Sequence, residues 1–240
     1  MNTKDFNIRV NQALNAPAWL RPFYVLQRNL FCLYWLSLPK LQIALKRGLD
    51  ILVSGGMILT LAPLFFVVSL CIFLTDRGPA LFWQERVGKF GRVFKFPKFR
   101  SMVVNAEAIQ ARLMAQNQHG AGITFKMKKD PRITWIGRII RRTSIDELPQ
   151  LWCVLKGEMS LVGPRPPLVR EVERYSLEDR RRLYCTPGLT CSWQVSGRAE
   201  IPFPQQVEMD VSYIENQSFA EDVKLLLKTI PAVISGRGAY

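Results

Sequence analysis

Residues 51–74, ILVSGGMILTLAPLFFVVSLCIFL, carry no charged side chain over twenty-four positions. As an α-helix rising ~1.5 Å per residue, such a run reaches about 36 Å, more than the roughly 30 Å hydrocarbon core of a bilayer. A helix of this length in a soluble core would carry a polar stripe. A cleaved signal peptide would lie nearer the N-terminus, with small residues at its cleavage site. The run is therefore expected to enter a membrane. Pro63 stands near its middle, where it removes a backbone hydrogen bond and crowds the preceding turn, so a helix break is expected there. Both flanks are basic: Lys40, Lys46 and Arg47 precede the run, and Arg77, Arg86, Lys89, Arg92 and Lys95 follow it. A plain span would place one cluster across the membrane, against the positive-inside tendency, whereas a re-entrant helix keeps both on the cytoplasmic side. Both topologies accommodate the run, and the charge distribution favours re-entry.

The remaining sequence belongs to a folded chain. Apolar residues make up 48% of the 240, too many for a disordered protein. Lys and Arg number 33 against 19 Asp and Glu, a formal charge of +14 that calls for anionic partners: phosphorylated small molecules, nucleic acid or an anionic membrane face. The five cysteines form no C-x-x-C, which argues against a disulfide framework and a structural zinc site. His119 is the only histidine, so a His-based triad lacks its base and any catalysis must run on carboxylates, Arg, Lys or hydroxyls.

Along the chain, residues 1–45 read as an irregular tail broken by Pro17, Pro22 and Pro39, with an interfacial amphipathic helix over 23–36. Residues 46–77 form the membrane-inserted segment and 78–240 a cytoplasmic catalytic domain. The overall class is α+β and helix-rich. Residues 80–102 predict two strands joined by a turn at Gly88 and Gly91, with Lys95, Lys98 and Arg100 interleaved with Phe94, Phe96 and Phe99. Strand alternation would put bases on one face and aromatics on the other. Such a surface suits single-stranded nucleic acid, anionic headgroups or a lipid phosphate. A helix is expected over 105–117, a loop over 118–134, and a helix in two pieces over 136–155, stopped by Gly157. A charged helix follows over 168–183, then turn-rich chain, then two helices within 205–234.

The segment RIIRRTSIDELPQ at 138–150 concentrates the candidate chemistry. Ser144 and Glu147 have the spacing of a capping box, which would start a helix and place Asp146 and Glu147 in its first turn. Backbone N–H groups there would favour an ionised Asp146 and a bound phosphate, although Pro149 fits better with a start nearer Leu148. Arg138, Arg141 and Arg142 lie close enough to converge on the same spot. The segment is either a carboxylate nucleophile beside a cationic clamp or a dipole-stabilising cap paired with arginines. At GPRPP, 163–167, prolines on both sides hold Arg165 in a restricted backbone, which suits either bidentate phosphate recognition or a solvated loop arginine.

Several motifs in order, KRGLDIL, PALFWQERVGKFGRVFKFPKFRSM, IGRIIRRTSIDELPQLWCVLKGEMSLVGPRP, PGLTCSWQVSGR and LLLKTIPAVISGRGAY, resemble the bacterial sugar transferase family, the monotopic phosphoglycosyl transferases. The resemblance covers roughly residues 43–240. One departure is Ala62-Pro63, where some members place Ser-Pro at the helix break. The resemblance implies transfer of a hexose-1-phosphate from a nucleotide sugar to undecaprenyl phosphate at the cytoplasmic face of the bacterial inner membrane. It implies Asp146 as nucleophile and magnesium ligand, with Glu147 positioning or deprotonating reacting groups. Arg141, Pro164 and Arg165 match phosphate- and substrate-binding positions, and Lys98 and Arg100 match a basic pair flanking the site. It further implies a Mg2+ cofactor, membrane-lipid partners, no nucleic acid, compatibility with a homo-oligomer, and a single catalytic domain without the membrane bundle of larger relatives. The reading that charge and the apolar run alone permit is a non-catalytic, membrane-tethered basic protein that binds nucleic acid or anionic lipid.

Overall fold

The computed structural model describes residues 21–106, 108, 109, 130–197 and 200–235. Most of the helix expected over 105–117 and of the loop over 118–134 lies outside the described residues, as do the side chains of 23–36. By its contacts the chain divides into two units, Met1–Lys46 and Arg47–Tyr240.

Helix α1 runs from Arg21 to Thr60 and α2 from Ala62 to Asp76. Pro22 and Pro39 do not break α1, contrary to expectation. Pro22 falls in the first turn, where its missing N–H would be unbonded anyway, and Pro39 removes only one rung from a long ladder. The break comes at Leu61 (φ −92°, ψ 3°), with Pro63 in the first turn of α2. Lys40–Thr60 and Ala62–Asp76 meet there at a bend of 59°. The hydrogen-bond ladder closes over the joint, with Leu61 N–H donating to Met57 O and Phe65 N–H to Leu61 O, both at 2.9 Å. Among the described residues no single helix is long and apolar enough to cross a membrane, but this bent pair meets the requirement together.

The hairpin forms as its alternation predicts. Strands β1 (Leu81–Val87) and β2 (Val93–Phe99) pair antiparallel from Leu81↔Phe99 to Val87↔Val93. Pro97 is tolerated because a two-stranded sheet consists only of edges. The aromatic side is not free of bases, however. Lys98 shares the parity of Phe94 and Phe96, and its Nζ lies 5.5 Å from the Phe96 ring centroid.

Helix α3 (Trp135–Arg142) is capped by the Thr134 hydroxyl, which accepts from Gly137 N–H at 3.0 Å. Its Ile136 and Ile140 bury against Val68 and Ile72 of α2 and against Phe99. A 3-10 turn over Ile145–Gln150 then leads into α4 (Leu151–Lys156), which ends at Gly157 in the left-handed conformation (φ +85°). Strand β3 (Ser160–Val162) pairs parallel with β4 (Gly188–Thr190). The charged helix expected over 168–183 is broken: only α5 (Val169–Val172) and a 3-10 turn over Asp179–Tyr184 form. Between them the Asp179 carboxylate accepts from the backbone and hydroxyl of Ser176, a local bond that competes with helix. Short α6 (Ser192–Ser196), then α7 (Phe203–Glu215) and α8 (Phe219–Ser235), complete the chain. The larger core gathers Phe94 and Phe96, Leu151 and Val154, Leu161 and Val162, Tyr213 and Leu225, with Val53 and Met57 of α1 packed on its edge.

Candidate active site

Two arms of chain meet at the site. One is the 3-10 turn that carries Asp146 and Glu147. The sequence predicts a capping box at Ser144, but Ser144 is left-handed (φ 58°) and its side chain makes no capping bond. The Glu147 carboxylate is instead drawn away from the turn's own backbone, and its Oε1 accepts from Lys98 Nζ at 3.0 Å and from Arg165 Nη2 at 2.8 Å. The other arm is GPRPP. Gly163 and Gly188 bring two backbones so close that a Cβ on Gly188 would lie 2.0 Å from Gly163 N. Gly163 N–H donates to Thr190 O at 3.0 Å, and Gly188 N–H to Pro164 O at 2.9 Å. Beyond Arg165, Pro166 O accepts from Arg86 Nη1 at 2.9 Å and Pro167 O from Val87 N–H at 2.9 Å. Arg165 is thus presented from a backbone pinned on both sides.

These groups line a cavity of about 1100 Å³. Asp146, Glu147, Lys98, Arg141, Arg165 and Arg100 all contribute to its wall. Pro164 lies behind it, buried, and holds β4 through its carbonyl. Arg100 reaches the wall but spends its ion pair on Asp76 at the end of α2, and its Nε and Nη1 are buried without a hydrogen bond. Arg138 and Arg142 of α3 face outward, so of the three arginines before the dyad only Arg141 joins the cavity wall.

The two carboxylates differ in acidity. Burial works to raise Glu147, but the charges of Arg165 and Lys98 and their hydrogen bonds overcome it and hold the group well below the usual carboxylate range. Burial lifts Asp146 to about 6, and the neighbouring Glu147 charge adds to the rise against the pull of Lys98. The expected stabilisation by a helix dipole is therefore outweighed by desolvation. Among the described residues no side chain or N–H donates a hydrogen bond to the Asp146 carboxylate, although it is only 8% exposed. Burial likewise lowers Lys98. A hard cation suits the unbonded Asp146 carboxylate, since magnesium is commonly held by one or two carboxylates together with substrate phosphates. No cluster of three or more His, Cys, Asp or Glu exists among the described residues, so such an ion would draw its other ligands from substrate and water.

Sequence reasoning missed three supporting groups. Arg86, lowered to about 10 by burial and by neighbouring Arg165, pins Pro166 and lies over Phe96 at 5.1 Å. Arg47 donates to Val154 O and Leu155 O, each at 2.6 Å, and so caps the C-terminal end of α4. Asp50, buried, accepts from Ser160 Oγ at 3.1 Å and Leu161 N–H at 2.9 Å at the start of β3. Arg47 and Asp50 stand in KRGLDIL, but their partners lie more than a hundred residues away, and no local spacing reveals them.

A profile of the bacterial sugar transferase family matches residues 41–236. The chain is 49% identical over 197 residues to the galactosyl transferase CpsE of Streptococcus agalactiae, a match covering 81% of this chain and 43% of that protein. It is 37% identical to the exopolysaccharide production protein ExoY of Sinorhizobium fredii, over 81% of this chain and 88% of that one. It is 38% identical to a UDP-glucose:undecaprenyl-phosphate glucose-1-phosphate transferase of Caulobacter vibrioides, over 85% and 75%. The matched region spans less than half the length of CpsE and of the UDP-galactose-lipid carrier transferase of Erwinia amylovora. The profile match over residues 41–236 and the ExoY match over most of both chains place the chain in the bacterial sugar transferase family.

Proposed function

We propose that the chain transfers a hexose-1-phosphate from a UDP-sugar to undecaprenyl phosphate, the step that begins synthesis of an exopolysaccharide or related glycan. The similarity to a UDP-glucose:undecaprenyl-phosphate glucose-1-phosphate transferase supports the reaction class. The observation that carries the proposal is the Asp146 carboxylate: buried, without a hydrogen bond among the described residues, and set with Lys98, Arg141 and Arg165 in one cavity. In the first half-reaction an Asp146 oxygen attacks the β-phosphorus, the bond to the nucleoside monophosphate breaks, and the sugar phosphate is left on the carboxylate. In the second, an oxygen of the lipid phosphate attacks that phosphorus, Asp146 leaves, and the lipid diphosphate sugar forms. Arg165 and Arg141 orient the diphosphate and balance charge that develops on it. Glu147, held ionised, is poorly suited as a base; it anchors Arg165 and Lys98. Magnesium, held at Asp146, would supply neutralisation of the diphosphate.

The bent pair α1–α2, with basic residues on both sides of its uncharged run 51–74, supports membrane insertion from the cytoplasmic face without crossing. Cysteine-accessibility labelling near residue 10 should be blocked from the periplasm, and periplasmic labelling overturns re-entry. For the reaction, donor without acceptor should leave a phosphosugar on the protein, detected by intact mass after rapid quench and mapped to Asp146. A panel of UDP-sugars then identifies the hexose. Absence of any adduct, with kinetics that require both substrates bound together, replaces the two-step scheme with direct transfer.

A further inference from the structure

The walls of the cavity sort by chemistry. Charged groups surround Asp146, whereas another stretch of the wall is apolar and comes from two helices. Val53 and Met57 lie four residues apart and therefore on one face of α1. Leu226, Ile230 and Val233 follow the i, i+4, i+7 spacing that makes one face of α8. Met57 sits at the joint itself, since its carbonyl accepts from Leu61 N–H where α1 bends into α2. The apolar wall thus continues directly into the uncharged run of 51–74. Helix α8 is fixed against the sheet by buried Leu225 and by Thr229 Oγ1 at 2.8 Å from Thr190 Oγ1. That anchoring turns its apolar face along the cavity, and Ile230 remains 58% exposed.

We infer that this wall binds the isoprenoid chain of the lipid acceptor, and that α1 and α8 guide the chain from the membrane-facing bend to the phosphate centre at Asp146. The inference rests on the reaction proposed above. It follows from what the second half-reaction must accommodate. The acceptor brings a phosphate that has to reach the phosphorus on Asp146, and a long apolar chain that water disfavours. A single cavity that holds Asp146 at one part of its wall and an unpolar strip from the bend at another meets both demands. The nucleotide sugar has no group that needs such a strip.

The test uses the full chain in nanodiscs with two acceptors, geranyl phosphate and undecaprenyl phosphate. The wild-type protein should show a lower KM for undecaprenyl phosphate. Met57→Asn and Ile230→Asn should raise that KM about tenfold and shift the KM for geranyl phosphate less than about twofold, because a short chain covers little of the wall. Leu227→Asn, an exposed position of α8 outside the wall, controls for altered membrane affinity and should preserve the chain-length dependence. If Met57→Asn misfolds, Ile230→Asn at its exposed position carries the result alone. Chain-length dependence retained in Ile230→Asn, or lost equally in Leu227→Asn, overturns the assignment. Adduct formation by wild-type protein with donor alone tests the underlying reaction separately: its failure removes the reaction, whereas a flat response to Ile230→Asn with an intact adduct removes only the chain site.

Discussion

Asp146 and Asp210 are two buried carboxylates whose side chains answer burial differently. Desolvation raises each to about 6, so acidity does not distinguish them. Their bonding does. Asp210, 1% exposed, is held by Arg182, whose guanidinium carbon lies 5.9 Å from the Tyr175 ring centroid and 5.7 Å from that of Phe203. Asp146 accepts no hydrogen bond among the described residues, and two of the cations near it, Lys98 and Arg165, are held by Glu147. A displaced pKa therefore reports burial, and unmet bonding capacity is what separates the proposed nucleophile from a carboxylate held in an ion pair.

The largest expected effect separates the pair directly. Asp146→Asn should lower turnover at least about 10³-fold, because an amide is a poor nucleophile at phosphorus. Asp210→Asn should instead cost about 3 kcal/mol of stability by leaving Arg182 buried without its counter-charge, while the folded fraction keeps turnover within a few-fold. Calorimetry and single-turnover assays on both proteins decide it, and a fully folded, inactive Asp210→Asn would erase the distinction.

Next in size is Arg165→Lys. An ammonium cannot bridge Glu147 and a phosphate with a planar fork, so kcat/KM for the donor should fall about 10²-fold, corresponding to ~2–3 kcal/mol of charge-assisted bonding. Near-normal turnover would return Arg165 to a structural role.

Acidity sharpens the comparison further. In magnesium-free buffer the folded state holds the Asp146 proton more tightly than the unfolded state does. Asp146 thus subtracts stability as pH rises from about 4 to about 6, by roughly 3 kcal/mol at neutral pH. Asp146→Asn should melt higher than wild type at pH 7, and the gap should close near pH 4. Added magnesium should raise the melting temperature of wild type and not of the variant. An unchanged gap across this range would show that Asp146 is not desolvated.

The smallest effect is expected at Asp50→Asn, about 1 kcal/mol of stability, because an amide oxygen can still accept from Leu161 N–H. Urea unfolding measures it. A loss as large as that of Asp210→Asn would make Asp50 a second buried charge centre.

Local signals in the sequence were reliable where local forces decide. Alternation with Gly88 and Gly91 marked the hairpin, Pro63 marked the bend, and Gly157 marked the end of α4. That Asp146, Glu147, Arg141, Arg165 and Lys98 gather in one cavity was also legible, because motif resemblance singled them out. Spacing misled where a distant partner outbids a local one: Glu147 has capping-box spacing but bonds Lys98 and Arg165 instead. Composition misled over 168–183, where charged helix formers are interrupted by the Ser176–Asp179 turn. Arg86, Arg47 and Asp50 were illegible because their partners are remote in sequence.

The fastening of α1 has a practical consequence for dissecting the protein. Boundaries drawn at 46–77 and 78–240 invite a truncation that removes the apolar segment to obtain a soluble catalytic fragment. Arg47 and Asp50 fall on the discarded side of that cut, yet they close the end of α4 and the start of β3, the two elements adjoining the Glu147 and Arg165 arms. Such a fragment would lose two ends of its own scaffold along with the bent apolar helix pair. A shortened chain that keeps these contacts is cut upstream of Lys46, with the exposed apolar positions of the helix covered by detergent or redesigned.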